Sequence, residues 1–373
     1  MVFLETKFMT KRFKSIDFLR GLHIFLMVFL HLCDWWLGFE AYWFKHLIHI
    51  IFEPIGATGF LFISGVSAAL SYKSNQLKLK NSNKLNWKSI KNIYFLRAFI
   101  LLLIALLYNI FLVFRFGDIS DIWSWNVLQT IAISLILVWP FLKTSKIFRI
   151  FVGGTLLLIN ELLLPFLRVF EGDLNLYGIL FHILYNPLNQ YTIISFFTMF
   201  LFGTVVGDIV FHITLLDDEK ERRIMVKKNF LIGILILGSS LVPIGVLFQF
   251  PNFISRNTFP SFIYSIGVIL AIFSLLISIE EFQLIRTKKN YNIMFFYSYY
   301  SFTIYLGHNL LYFLFFDRLN VVSLWIPIII TMSILTILLR TMFIKVGPKF
   351  SLKMGITALS FIIATKINRN KKT

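Results

Sequence analysis

The sequence predicts an all-α integral membrane protein, and two observations carry that prediction. Apolar stretches about 20 residues long recur along the whole chain, and lysine and arginine collect in alternate gaps between them. Over 373 residues the chain is 58% hydrophobic and 14% charged, with mean hydropathy +0.78. A soluble domain of this length does not carry that balance, whereas runs near 20 apolar residues match the thickness of a bilayer core.

Taken in order, hydropathy places about ten transmembrane helices, at 16–37, 50–72, 93–114, 125–142, 147–169, 191–213, 229–249, 261–282, 293–316 and 323–344. The stretch 355–364 is apolar but too short to cross, and reads as a surface helix or an eleventh, marginal element. The gap 73–92 is rich in Lys, Asn and Ser and reads as a solvated loop. The gap 170–190 carries Glu171, Asp173, His182 and Asn186, and the run from Asp217 to Arg223 reads as a charged helical extension. No internal repeat or soluble domain stands out, so 1–373 is taken as a single transmembrane domain. Gly56, Gly59, Ser64, Gly65, Ser67, Gly203 and Gly207 fall inside spans, where small residues let helices pack closely.

Orientation follows from the basic residues, because cytoplasmic loops retain them. One set of gaps holds the N-terminal lysines, Lys73 to Lys91, Lys143 to Arg149, the 220–228 cluster, Arg286 to Lys289 and the tail from Lys345. The opposite set holds Lys45, Arg115, Arg168, Arg256 and Arg318, five of 36 basic residues. Both termini are therefore assigned to the cytoplasm. The net charge of +18 is explained by this topology and by attraction to anionic lipid, so no nucleic-acid partner is inferred. With Cys33 as the one cysteine, neither an intrachain disulfide nor a thiolate metal site is expected. No cleaved signal peptide or targeting signal is recognised, and the plasma membrane is the default location.

Ionisable groups inside spans are costly and mark working sites. In the first span Asp17, Arg20, His31 and Asp34 share one helix side. Arg20 and His31 are three turns apart, about 16 Å along the axis. That face offers a cation near the cytoplasm and an imidazole near the outside. Asp17 can neutralise Arg20, and Asp34, one turn beyond His31, could orient its ring. The bland reading is an interfacial Arg–Asp pair and a capping histidine. The loop from Asp34 to His46 is aromatic, either an interfacial belt or a stacking platform for a sugar. His46, with His49 a weaker candidate, can serve as a general base near neutral pH. Asn126 and Gln129 open the fourth span on one face, and His308 lies in the outer half of the ninth. Arg97 either meets a phosphate or obeys the positive-inside rule. There is no ring of charge and no matched pair of broken spans, so a channel or inverted-repeat transporter fits poorly.

The segment from Ser15 to His31 resembles the opening span of the heparan-alpha-glucosaminide N-acetyltransferase family. Tyr42-Trp-Phe-Lys-His46 resembles that family's loop with the active-site histidine. Phe60, Phe62 and Gly65 resemble its Phe-x-Phe-x-x-Gly stretch, and Val127, Leu128 and Gln129 its Val-Leu-Gln stretch. Ser301 to His308 resembles a late Leu-x-x-Tyr-x-x-His element, and Pro260-Ser261 and Gly347-Pro348 resemble further landmarks. The spacing from Arg20 to His31 is also similar to that of the acyltransferase-3 family of membrane O-acyltransferases. There are departures. The gap before His46 is about four residues longer than in the lysosomal enzyme, Thr130 stands where Arg often follows Val-Leu-Gln, and Thr58 stands where Pro often precedes the Phe-x-Phe stretch.

The resemblance implies acetyl transfer from cytoplasmic acetyl-CoA to an extracytoplasmic acceptor, with heparan sulfate not expected and an amino sugar of a glycan or glycolipid the better candidate. The mechanism expected from these residues puts Arg20, Arg97 or loop lysines on the donor's phosphates, keeps Asn126, Gln129 and His308 on the donor side with Asn126 and Gln129 as oxyanion donors, and places His46, His31 and Asp34 at the chemistry. His46 would remove the acceptor proton, and His31 would share that role or position the thioester. Direct transfer and an acetyl-histidine intermediate both remain open, as does a homodimer. O-acylation of a glycan hydroxyl is the near alternative. A polar-lipid flippase and a non-catalytic scaffold are the alternatives from other classes.

Overall fold

A computed structural model of the chain describes residues 13–81, 86–116, 119–185, 191–248, 258–285, 292–347 and 351–370. Asn186, Arg256, the run from Arg286 to Lys289 and Pro348, used above, lie outside them, as do the N-terminal lysines before Phe13. The described residues form helices throughout, with one isolated bridge between Leu37 and Leu319. In chain order the helices are α1 (Lys14–Trp36), α2 (Tyr42–Phe52), α3 (Gly59–Lys80), α4 (Trp87–Phe116), α5 (Val127–Phe141), α6 (Lys146–Arg168), α7 (Leu176–Leu184) and α8 (Ile193–Thr214). They continue with α9 (Glu219–Val226), α10 (Leu235–Phe248), α11 (Phe259–Glu281), α12 (Asn292–Tyr299), α13 (Ser301–Gly307), α14 (Trp325–Lys345) and α15 (Leu352–Asn370).

Among the described residues eight helical segments are long and apolar enough to cross a membrane. The protein is therefore an integral membrane protein. Two segments that hydropathy reads as spans differ from a simple crossing helix. The one at 125–142 is the 15-residue α5, and the one at 293–316 is broken into α12, α13 and a tight 3-10 turn, His308–Phe313. Hydropathy averages over a window and does not register such breaks.

α1 runs through the middle of the bundle, touching α2, α3, α11, α12, α13 and α14. Its orphan N-terminal N–H groups are met by Glu280, whose two carboxylate oxygens accept from Lys14 N at 2.9 Å and Ser15 N at 2.7 Å. A carboxylate at a helix N-terminus satisfies donors and opposes the positive end of the helix dipole together.

The segment from α2 to α3 is an elbow rather than one straight span. Pro54 has no N–H to give the carbonyl of Ile50, and Gly56 departs from helical geometry (φ −67°, ψ −115°). Freed carbonyls at membrane depth need donors. The Tyr264 hydroxyl donates to Ile50 O at 3.3 Å, and His23 Nδ1 donates to Ile55 O. The elbow lets α2 lie with Tyr42, Trp43, Leu47 and Ile51 exposed, the habit of an interfacial helix, while α3 enters the bundle.

Within α3 the small residues divide the work. A Cβ on Gly65 would collide with the carbonyl of Phe200, and one on Gly203 with that of Phe62, so α3 and α8 touch backbone to backbone. Ser64 and Ser67, read from sequence as packing residues, instead face a cavity. Arg149, placed by sequence among loop cations, is fully buried and pairs with Asp208 of α8 while donating to Thr204 Oγ1 at 2.9 Å. α15 is not a detached surface helix. It packs on α4 with Ile356, Ser360 and Ala364 buried at four-residue spacing.

Candidate active site

At one end of α1 the backbone continues into a short pairing with the chain after His308. Asp317 N donates to Trp35 O at 2.8 Å, Leu319 N to Trp36 O at 2.8 Å, and Trp36 Nε1 to Leu311 O at 2.9 Å. These bonds hold the 3-10 turn against α1 and bring three rings together. The His31 and His308 centroids are 5.1 Å apart, and Trp35 stacks on both, at 5.0 and 5.6 Å with interplanar angles of 17°. His308 is buried, and its Nδ1 donates to Ile304 O at 3.1 Å. A carbonyl only accepts, so this bond puts the ring hydrogen on Nδ1 and leaves Nε2 as the acceptor nitrogen of the neutral ring.

Toward the other end of α1 lies a cavity of about 190 Å³ between α1, α3, α4, α5, α13 and α15. Three of the lining residues are cations, Arg20, Arg97 and Lys353, and none is an acid. Ser64, Ser67 and Ser71 of α3 line it too. Arg20 donates to Ser67 Oγ at 2.6 Å and to Asp17 at 3.1 Å, and Arg97 is near enough to feel the charge of Arg20. Like charges gathered inside a membrane are costly unless an anion joins them.

Tyr305 joins the two regions. It lines the cavity, and its ring lies 5.9 Å from His308 and 6.0 Å from Tyr108. At the start of α5 the Asn126 side chain caps the helix, accepting from Gln129 N through Oδ1 at 2.8 Å, and the first intrahelical bond runs from Thr130 N to Asn126 O at 3.0 Å.

The predicted residues therefore separate. Arg20 and Arg97 meet in the cavity, and His31 meets His308. Asp34, expected to orient His31, accepts through Oδ1 from His49 Nε2 at 2.8 Å, while Glu53 stands 3.3 Å from His49 Nδ1. Lys45 ties α2 to the same place by donating to Asp34 O at 3.0 Å. His46 is exposed on α2, its ring 6.4 Å from Tyr42, and is not part of the His31–Trp35–His308 cluster. Asn126 and Gln129 do not line the cavity. They join Asn109 in a buried frame: Asn126 Nδ2 donates to Asn109 Oδ1 at 2.6 Å, and Asn109 Nδ2 to Gln129 Oε1 at 2.9 Å. Gln129 Nε2 is buried there without a protein acceptor.

Sequence reading did not single out Trp35, Lys353 or His23, and met Tyr305 only as the tyrosine of the family's late Leu-x-x-Tyr-x-x-His element. Trp35 was submerged in an aromatic loop, and Lys353 in a basic tail. His23 and Asp208 carried a usable signal, since each is a titratable group inside an apolar run. Among the described residues no group of three or more His, Cys, Asp and Glu is placed to hold a metal ion.

Residues 12–250 match the family model described as heparan-alpha-glucosaminide N-acetyltransferase, catalytic. No curated protein matches the sequence.

Proposed function

Because the chain belongs to the heparan-alpha-glucosaminide N-acetyltransferase catalytic family and is a transmembrane acetyltransferase, we propose that it carries an acetyl group through the membrane. The donor is acetyl-CoA, held from the cytoplasm at the Arg20 end of α1. The acceptor is an amine of an extracytoplasmic amino sugar at the His31 end. The observation that carries this reading is the cavity with three cations and no acid, linked through Tyr305 to the paired histidines. Phosphates are the anions that suit guanidinium donors, and a thioester extending from them along α1 points at His308 and His31.

In this reading His31 is the general base, since it is the less buried of the two histidines and the acceptor can reach it. His308 sits on the donor side and positions the acyl end. His46, at the exposed rim on α2, contributes to acceptor binding. Asn109, Asn126 and Gln129 hold α4 against α5 and so fix the cavity wall.

The test is CoA release by purified protein with acetyl-CoA and glucosamine. His31→Ala should lower release about 10²–10⁴-fold, the usual loss of a general base, while acetyl-CoA still binds. His46→Ala should raise the acceptor KM and leave kcat within a few-fold. The reverse pattern would move the base to α2. Substrate flux without CoA release would replace the enzyme by a transporter.

A further inference from the structure

We propose that His49 is a positioning residue at the His31 end of α1, a doubly protonated imidazolium that clips α2 to α1 between two carboxylates. The clip holds the turn that carries His46 beside the turn that carries His31. Its bearing on acetyl transfer rests on the reading above, whereas its charge state does not.

Both ring nitrogens of His49 face acids. Nε2 lies 2.8 Å from Asp34 Oδ1 near the end of α1, and Nδ1 lies 3.3 Å from Glu53 Oε2 just past the end of α2. The second contact is an ion-pair approach without hydrogen-bond alignment. A neutral imidazole carries one N–H and one lone pair. In either tautomer a lone pair would face a carboxylate oxygen, which repels it. With a hydrogen on each nitrogen both contacts become attractive, and one positive charge sits between two negative ones. Among the described residues no third acidic or basic group lies within ion-pair distance of the ring. The other titratable groups on the elements packed around it are His31 and the buried Cys33 of α1, Lys45, whose Nζ donates to Asp34 O at 3.0 Å, the exposed His46 and Glu40, and Tyr264 of α11, whose hydroxyl donates to Ile50 O. α14 reaches α2 through Trp325 on Phe44, and neither ring titrates.

α2 has little apolar burial to hold it. Ile48 is its one buried residue, and past Glu53 the chain turns at Pro54 and Gly56. His31 stands one turn before Asp34 on α1, and His46 one turn before His49 on α2. The clip therefore fixes the spacing of the two turns between which the acceptor enters. As pH rises and the ring gives up its second proton, one of its two links to acid is lost and α2 loosens.

The experiment pairs nitrogen NMR of full-length protein carrying labelled histidine, in detergent, with acceptor kinetics. At about pH 7.5, a unit above the midpoint of an ordinary histidine, both nitrogens of His49 should carry hydrogen, the signal being assigned by its loss in His49→Gln. In Glu53→Gln the same ring should revert to one protonated nitrogen. With glucosamine at neutral pH, His49→Gln should lower kcat/KM for the acceptor by up to about 10²-fold, the scale of a misplaced reacting group, and leave the KM for acetyl-CoA unchanged. The advantage of the wild type over the variant should shrink as pH rises, a ratio from which the acceptor's own titration cancels. A neutral His49 ring in the wild type, or a His49→Gln variant with the wild-type acceptor kcat/KM across the pH range, would overturn the proposal. If His49→Gln fails to fold, Glu53→Gln assigns the ring and carries the same kinetic comparison. A wild type with the doubly protonated ring but no CoA release would bear out the clip and overturn the acetyltransferase reading.

Discussion

At Arg97 a guanidinium lies on the wall of a membrane cavity beside another, Arg20. A hydrogen bond to a charged group is worth about 1.5–3 kcal/mol. Arg97→Gln should therefore raise the KM for acetyl-CoA about 10–100-fold while leaving kcat nearly unchanged, as steady-state kinetics would show. If kcat fell and KM held, Arg97 would act on the transition state and not on the donor. Arg149 gives a contrasting case. It is buried with Asp208 but lines no part of the cavity. Arg149→Met should destabilise the protein by about 3–5 kcal/mol, because it strands a buried carboxylate, whereas replacing both partners with apolar residues should restore most of that. Thermal melts of the single and double variants would show whether the pair is structural. At this scale the sequence was partly legible. Arg20, His31 and His308 could be picked out because each is expensive in lipid. Which of two carboxylates or histidines would meet which could not be read, because Asp34 found His49 through the turn of α2, and a turn is set by tertiary contacts.

The elements carry their own predictions. α3 and α8 touch at Gly65 and Gly203, and a side chain at either place meets backbone, which cannot move aside as a side chain can. Gly203→Leu should cost about 1–3 kcal/mol or more, seen as a lower melting temperature in detergent. A neutral result would mean the two helices sit further apart. The elbow between α2 and α3 depends on His23 and Tyr264 for its freed carbonyls. His23→Ala leaves Ile55 O unsatisfied and should cost about 1–3 kcal/mol. The long apolar helices were legible from hydropathy, since length and composition suffice for them. The break in the stretch 293–316 was not, because its 3-10 turn is fixed by pairing with the end of α1, a contact more than 270 residues away in sequence, as between Trp36 and Leu311 (|i−j| = 275).

For the molecule as a whole, α1 runs from a cation-lined cavity to a pair of histidines, with α15 from the far end of the chain closing one cavity wall. α15 lies beyond the 12–250 stretch that matches the family model, and its role in the cavity could not be read from a short apolar run. The central claim is that donor and acceptor meet from opposite sides of the membrane. Proteoliposomes with glucosamine trapped inside and labelled acetyl-CoA added outside test it most directly. Labelled N-acetylglucosamine recovered from the lumen, and lost with His31→Ala, is the result this account predicts. Product formed only when donor and acceptor share a compartment would contradict it.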